Sequence, residues 1–210
     1  MTVPDPVLDA WTHAVREPAG EPRGVLFLLQ GTGGDESDLL ELAAAVAPDR
    51  LHIGVRGRSR EEGITRFFRR YDALRYDQQH LASEAGALAA FVRRAAERYA
   101  SAGLPRAALG YSNGANIALA SELLGPGTFA SLALLRAVQP FDRAPEPDLR
   151  GRRVLLLLGA HDPYLVAGEA LPGFLSERGA EVEAEVLDAG HGLTRTDIER
   201  LADWFAKPPT

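Results

Sequence analysis

The sequence contains no cysteine, and that absence excludes several classes of protein at once. Without a thiol there is no disulfide framework, no thiolate zinc site, no cysteine-ligated iron–sulfur cluster and no catalytic cysteine. Lysine is almost as scarce, because Lys207 is the only one in the sequence. Its position argues against a phosphate-binding loop and against Schiff-base catalysis. A covalent mechanism would therefore depend on an oxygen or an imidazole nucleophile.

Length and charge narrow the class of protein further. The 210 residues suit one domain, which we expect to span residues 1–210. The net charge of −6 argues against nucleic acid as a partner. The sequence shows no secretory signal and no apolar run of about 20 residues, so we expect a cytoplasmic protein without a membrane span. The oligomeric state stays open, with a homodimer among the candidates.

Short apolar runs alternate with helical patterns along the chain, which is typical of an α/β protein with a mainly parallel sheet. The runs that predict strands are residues 25–29, 51–55, 107–109, 132–135, 154–158 and 182–187. A weaker strand at 12–15 is expected to pair antiparallel with 25–29.

Apolar residues at intervals of three and four predict two amphipathic helices, over residues 81–99 and 198–205. Thr196 and Glu199 fit a capping box at the start of the second helix. The pattern therefore places a long helix in the middle of the chain and a shorter one near its end.

Gly110, Ser112 and Gly114 form the pattern G-x-S-x-G, which is weak by itself. Its context makes it specific, because it follows a short apolar strand and begins an apolar helix at 115–124. A nucleophile elbow requires that context, and glycine on either side of the serine lets strand and helix approach. The alternative is a glycine-relieved turn with an incidental serine.

A serine nucleophile needs a general base and an acid that orients the base. With this elbow, the acid and then the histidine follow the serine, each in a loop after a later strand. Asp162 follows the strand at 154–158, and His191 follows the strand at 182–187. Both loops lie at the carboxyl edge of the sheet, as Ser112 does. We therefore assign Asp162 as the acid and His191 as the base.

Two neighbouring residues are rivals for these roles. Asp188 is a rival acid, but it lies three residues from His191 in the same loop. His161 is a rival base, but it adjoins Asp162 on an extended segment, where their side chains point apart. Asp162 before Pro163 also fits a simple turn. The spacing of these residues matches no standard metal site, so we expect neither a metal nor a cofactor.

Acyl transfer also needs an oxyanion hole. One donor is the backbone N–H of the residue after the nucleophile, here Asn113, and the other comes from a loop after an earlier strand. The glycine-rich loop at 30–35 offers the N–H of Thr32. Its glycines do not complete a dinucleotide fingerprint, because Glu36 stands where the third glycine is required.

With these residues the chain resembles the phospholipase/carboxylesterase family of the α/β-hydrolases, in its branch of small bacterial esterases without a cap. The stretches that carry the resemblance are 29–36, 66–70, 110–118, 134–136, 154–162 and 190–194. The resemblance implies a mostly parallel central sheet flanked by helices, with no large cap domain. It also implies a Ser112, His191 and Asp162 triad, an oxyanion hole at Thr32 and Asn113, and hydrolysis of carboxylic esters without a metal.

The chain departs from this family at Gln30, because the family usually has histidine before the glycine at position 31. The donor is the Thr32 backbone, so the oxyanion hole is expected to survive the change. We expect Gln30 to contact substrate in place of the histidine, and how the loop is braced without that histidine stays open.

Other candidate substrate-binding residues lie between residues 56 and 77, and one lies at position 136. Phe67 and Phe68 are candidates for the wall of an acyl or aryl pocket, with a purely structural role in the core as the alternative. A basic lining of the cleft is also expected, with solvated side chains as the alternative for some of its candidates. Those candidates are Arg66, Arg69, Arg70 and Arg136.

The sequence thus predicts a serine carboxylesterase that acts on small to medium esters through an acyl-enzyme. A small-molecule ester is the expected partner, and 210 residues leave little room for a large cap. A lysophospholipase or an acyl-thioesterase is the alternative within the hydrolases. A non-catalytic ligand-binding protein with the same fold is the alternative from another class.

Overall fold

A seven-stranded sheet forms the centre of the protein in the computed structural model, which describes residues 4–207. The strands are β1 His13–Arg16, β2 Val25–Leu29, β3 Leu51–Val55, β4 Ser59–Glu61, β5 Ile64–Arg66, β6 Arg106–Tyr111, β7 Ser131–Leu135, β8 Arg153–Gly159 and β9 Glu181–Leu187. The large sheet has the order β1-β3-β2-β6-β7-β8-β9, and only β1 runs antiparallel to its neighbour. Strands β4 and β5 form a separate hairpin.

Helices cover both faces of this sheet. They are α1 Pro6–Asp9, α2 Leu40–Val46, α3 Gln78–Tyr99, α4 Asn113–Leu124, α5 Leu165–Gly168, α6 Leu171–Ser176 and α7 Arg195–Ala206. Helices α1, α3, α4 and α6 contribute to the core on one face, and α2 and α7 contribute to the core on the other. Among residues 4–207, no helix is both long and apolar enough to cross a membrane.

Strand β2 shows how the sequence produces this layering. Side chains alternate between the faces of a strand, and a strand covered on both faces is apolar at every position. Phe27 packs in the core with α3 and α4, whereas Leu26 and Leu28 pack in the core with α2 and α7. The unbroken apolar run that predicted this strand therefore reflects burial on both sides.

Two local expectations from the sequence are wrong. Strand β1 pairs with β3, placing His13 opposite Val55, because both edges of β2 are already occupied by β3 and β6. The capping box of α7 uses Thr194 and Asp197, since the helix already begins at Arg195 and Thr196 lies inside its first turn.

Phe91 provides a test of the core beneath α3. Its fully buried ring contacts Trp11, His13 and Phe27, with centroid distances of 5.8, 5.2 and 6.5 Å. Phe91→Ala should lower the free energy of unfolding by about 3–5 kcal/mol, because it leaves a cavity in this cluster. Val166→Ala, at a side chain that is 77% exposed, should change it by less than about 0.5 kcal/mol. Urea denaturation measures both, and equal losses would contradict this description of the core.

Candidate active site

The loops that follow the parallel strands converge at one edge of the sheet. The loops after β2, β6, β7, β8 and β9 carry Thr32, Ser112, Arg136, Asp162 and His191 in that order. Parallel strands all present their carboxyl ends at the same edge, where open α/β sheets place their sites. The topology therefore gathers residues that are far apart in the sequence.

Ser112 occupies a sharp turn between β6 and α4. Its φ of 53° lies in the left-handed region, which non-glycine residues adopt at a cost of about 1–3 kcal/mol. A Cβ added to Gly110 would lie 2.7 Å from the Ala115 Cα, and one added to Gly114 would collide with the Leu29 carbonyl oxygen. Both glycines are therefore required for the strand and helix to approach around the serine.

Ser112, His191 and Asp162 form a hydrogen-bonded chain. The Ser112 Oγ lies 2.9 Å from His191 Nε2, and His191 Nδ1 lies 2.8 Å from Asp162 Oδ2. The carboxylate partner assigns the proton of the neutral ring to Nδ1, which leaves Nε2 to accept from the serine hydroxyl. Asp162 is itself oriented, because its buried side chain also accepts from the Tyr164 N–H at 2.9 Å.

Two tyrosines hold the imidazole in this position. The Tyr164 ring meets His191 edge-on at 5.2 Å, and the Tyr111 ring lies 5.6 Å away. The Tyr111 hydroxyl also donates to the His191 carbonyl oxygen at 3.0 Å. Burial raises the pKa of Tyr111, so its hydroxyl keeps the proton that it donates.

Arg136 fixes the loop that carries His191. Its guanidinium, with no exposed surface, forms a two-pronged ion pair with Asp197 at 2.7 and 2.9 Å. It also donates to the carbonyl oxygens of Gly190 and Gly192 at 2.9 and 3.1 Å, on either side of His191. A single buried cation thus joins the start of α7 to both flanks of the histidine.

A narrow cleft opens beside Ser112 and His191. Thr32 and Asn113 line it, and within residues 4–207 no hydrogen-bond acceptor is found for the backbone N–H of either residue. The Asn113 side chain points elsewhere, since its Oδ1 accepts from the Phe67 N–H at 2.7 Å. Two residues whose backbone N–H groups have no acceptor among residues 4–207 therefore line the same cleft as the serine.

Comparison with known proteins supplies the family. No protein-family model matches the chain. "Putative hydrolase MhqD" of Bacillus subtilis (strain 168) is 34% identical over 188 residues, which cover 89% of this chain and 94% of that protein. The chain belongs to the phospholipase/carboxylesterase family of the α/β-hydrolases. The resemblance identified in the sequence is thereby confirmed.

Solved structures of relatives confirm the fold of this family member. A carboxylesterase from Mesorhizobium loti is 38% identical with a TM-score of 0.88, over 95% of this chain and 96% of that one. The Bacillus cereus carboxylesterase is 31% identical with a TM-score of 0.87, over 93% of each chain. The α/β-hydrolase fold predicted from the sequence is therefore correct, and no large cap is present in the described part of the chain.

Two phenylalanines expected at the cleft of this hydrolase lie in its core. Phe67 and Phe68 are fully buried, and neither lines the cleft. The Phe67 ring lies 6.3 Å from Trp11, and the Phe68 ring packs edge-on against Tyr76 at 5.0 Å. The prediction that these two rings form the wall of a substrate pocket is therefore wrong. Both rings instead anchor the segment at 56–77 to the core.

Gln30 and Arg136, also predicted as substrate contacts, have buried side chains. The buried Gln30 donates from Nε2 to the Gly34 carbonyl oxygen at 2.6 Å, so it braces the loop that carries Thr32. Arg136 lies at the cleft, but Asp197 neutralises its charge and its side chain has no exposed surface. Gln30 thus supports the loop of Thr32, and Arg136 supports the loop of His191.

The rival acid and base pair with each other at the surface. His161 Nε2 lies 2.8 Å from Asp188 Oδ1, and these side chains are 70% and 95% exposed. Neither lines the cleft. Within the described ranges, no group of three histidine or acidic side chains is placed to hold a metal ion.

Sequence reasoning missed polar contacts among the residues that line the cleft. Asn116 lies one turn after Asn113 on α4, where it donates to the Tyr76 hydroxyl at 3.2 Å and accepts from the Val138 N–H at 2.9 Å. Burial raises the pKa of Tyr76 to about 12, so the phenol stays neutral. The signal was an asparagine between the apolar residues Ala115 and Ile117, because a buried amide needs partners.

The Arg136–Asp197 pair should dominate the stability of the His191 loop. Arg136→Met should lower the free energy of unfolding by about 3–5 kcal/mol, because it leaves a buried carboxylate without its partner. The double variant with Asp197→Asn should lose about 1–3 kcal/mol less than the sum of the two single variants. The exposed Arg195–Glu199 pair is the control, since Arg195→Met should cost less than about 1 kcal/mol. Chemical denaturation of all four variants gives these values, and strict additivity at positions 136 and 197 would contradict the coupling.

Proposed function

We propose that the protein is a serine carboxylesterase that cleaves small to medium carboxylic esters through an acyl-enzyme. The observation that carries this proposal is the hydrogen-bonded chain from Ser112 through His191 to Asp162, with distances of 2.9 and 2.8 Å. Thr32 and Asn113 line the same cleft as the serine, and their backbone N–H groups have no acceptor among residues 4–207. Nucleophile, base, orienting acid and oxyanion donors are the groups that acyl transfer requires.

Acylation begins when Ser112 Oγ attacks the ester carbonyl carbon and its proton passes to His191 Nε2. Asp162 accepts from Nδ1 and stabilises the imidazolium that results. The amides of Thr32 and Asn113 donate to the oxyanion of the tetrahedral intermediate. When that intermediate collapses, the bond to the alcohol oxygen breaks, and the alcohol leaves with the proton from Nε2.

Deacylation repeats these steps with water. His191 Nε2 removes a proton from the attacking water, whose oxygen bonds to the acyl carbon. The second tetrahedral intermediate expels Ser112 Oγ, which recovers its proton from the imidazolium and releases the carboxylic acid. The net reaction consumes one water per ester and returns the enzyme unchanged.

The dimensions of the cleft support a preference for short acyl groups. The empty space between its lining residues is about 350 Å³, part of it open to solvent, which is at the lower end of the range for small-molecule sites. A long acyl chain needs an extended apolar channel, whereas the aliphatic side chains in this lining are those of Ala73, Leu74 and Val138. A lysophospholipase or long-chain thioesterase is therefore the weaker candidate. The complete hydrogen-bonded chain of Ser112, His191 and Asp162 argues against a non-catalytic binding protein.

Removal of the serine hydroxyl tests the reaction. Ser112→Ala should lower kcat/KM for p-nitrophenyl acetate by about three orders of magnitude or more, because the nucleophile is lost. His191→Ala should cause a comparable loss, whereas His161→Ala should behave as wild type, since the His161 side chain lies outside the cleft. A fluorophosphonate should label the wild type and fail to label Ser112→Ala. Turnover or labelling that is retained in Ser112→Ala would contradict the proposal.

Acyl chain length tests the substrate class. Esters of C2 to C6 acids should give higher kcat/KM than esters of C12 to C16 acids with the same leaving group, because the cleft is narrow. The profile is measured with p-nitrophenyl esters from C2 to C16 below their aggregation limits. A maximum at C12 or longer would favour the lysophospholipase or thioesterase alternative.

A further inference from the structure

The four arginines expected to line the cleft have different environments. Three of them form ion pairs with carboxylates of the protein, so each of these charges already has a partner. The pairs are Arg66 with Glu61 at 3.9 Å, Arg69 with Asp77 at 3.1 Å and Arg136 with Asp197 at 2.7 Å. The fourth, Arg70, has no such partner.

Arg70 lines the same cleft as Ser112 and His191. Among residues 4–207, its guanidinium has no ion pair and no hydrogen bond, and the lining of the cleft includes no aspartate or glutamate. The cleft has one other arginine in its lining, Arg136, whose side chain has no solvent-exposed surface. Arg70 is thus the one arginine in this lining whose positive charge is free to meet a ligand.

A tight turn holds Arg70 in this place. Arg70 and Tyr76 form an antiparallel bridge across the turn, and residues paired in this way present their side chains on the same face. The turn is closed by the Tyr71 N–H, which donates to the Arg75 carbonyl oxygen at 2.8 Å. Tyr76 is anchored below by Asn116, so the bridge fixes Arg70 relative to the floor of the cleft.

Asp72, on the same turn, feels the charge of Arg70 without forming an ion pair with it, and its hydrogen bonds go to other groups. Asp72 accepts from the backbone N–H groups of Leu74 and Arg75 and pairs with the Arg75 Nε at 3.3 Å. Arg70 also borders a neighbouring surface cavity with four acidic residues. They are Glu61, Glu62, Asp72 and Asp77. None of the four comes within the 4 Å of the Arg70 guanidinium that an ion pair needs.

We propose that Arg70 binds a free carboxylate of the substrate, so that the preferred substrates are short esters that also carry one carboxylate group. This inference rests on the proposed esterase function. A guanidinium matches a carboxylate with two parallel hydrogen bonds, and one free cation balances one negative charge. A phosphate dianion would call for a second cation, which this lining does not offer.

Matched pairs of charged and neutral esters test the proposal. One arm places the carboxylate in the acyl part, with monoethyl succinate and monoethyl glutarate against their neutral monoamides. The other arm places it in the alcohol part, with acetoxyacetate against acetoxyacetamide. Proton release at constant pH gives kcat/KM for each ester. The ratio of charged to neutral ester is the readout, because it cancels any general loss of folded protein.

The wild type should prefer the charged ester by about tenfold or more in at least one arm, as expected for a charge-assisted contact. Arg70→Ala and Arg70→Gln should bring that ratio to about 1, Arg70→Glu should reverse it, and Arg70→Lys should retain part of it. Arg60→Ala is the control, since Arg60 is an exposed arginine on β4 outside the cleft and its loss should leave the wild-type ratio.

Two outcomes would overturn the role of Arg70. One is a wild-type ratio near 1 in both arms, and the other is a preference that persists in Arg70→Ala. In either case hydrolysis of the neutral esters, together with its loss in Ser112→Ala, would leave the esterase proposal standing. Failure of the wild type to hydrolyse any of these esters, or p-nitrophenyl acetate, would overturn both proposals together.

Discussion

The buried ion pair between Arg136 and Asp197 is the interaction on which the rest of the site depends. One guanidinium donates to the carboxylate and to the carbonyl oxygens of Gly190 and Gly192, and so joins the end of β7, the start of α7 and the loop of His191. Desolvating two charges is costly unless their hydrogen bonds are satisfied. Here the backbone carbonyls complete the set of acceptors, so the pair specifies one position of the loop.

A second constraint acts at the serine. The turn that presents Ser112 places a non-glycine residue at positive φ, and the glycines on either side remove the collisions that any Cβ would cause. Strain of this kind persists only when the surroundings hold it, and here β6, α4 and the neighbouring β2 do so. The two constraints together set the distance of 2.9 Å between the serine hydroxyl and the imidazole.

The arginines show how pairing rather than composition decides the character of a cleft. The sequence offers many guanidinium groups and a net negative charge, and neither property says which charge is free. Carboxylates from the hairpin, from the start of α3 and from α7 form ion pairs with three of the candidates. The proposed selectivity for a carboxylate therefore rests on Arg70, since Asp72 on the same turn pairs with Arg75 instead.

Local sequence was sufficient to predict the buried strands and the turn at Ser112. It also predicted that Asp162 and His191 each lie in a loop directly after a strand, because a strand and the loop that follows it are neighbours in the chain. Parallel topology then brings strand ends to one edge, which is a general property of the fold. The neighbours of Phe67, Gln30 and Arg136 were decided only by tertiary packing. Asp197 lies 61 residues from its partner in the chain, and no local pattern records such a contact. Burial turned these expected substrate contacts into supports for the site.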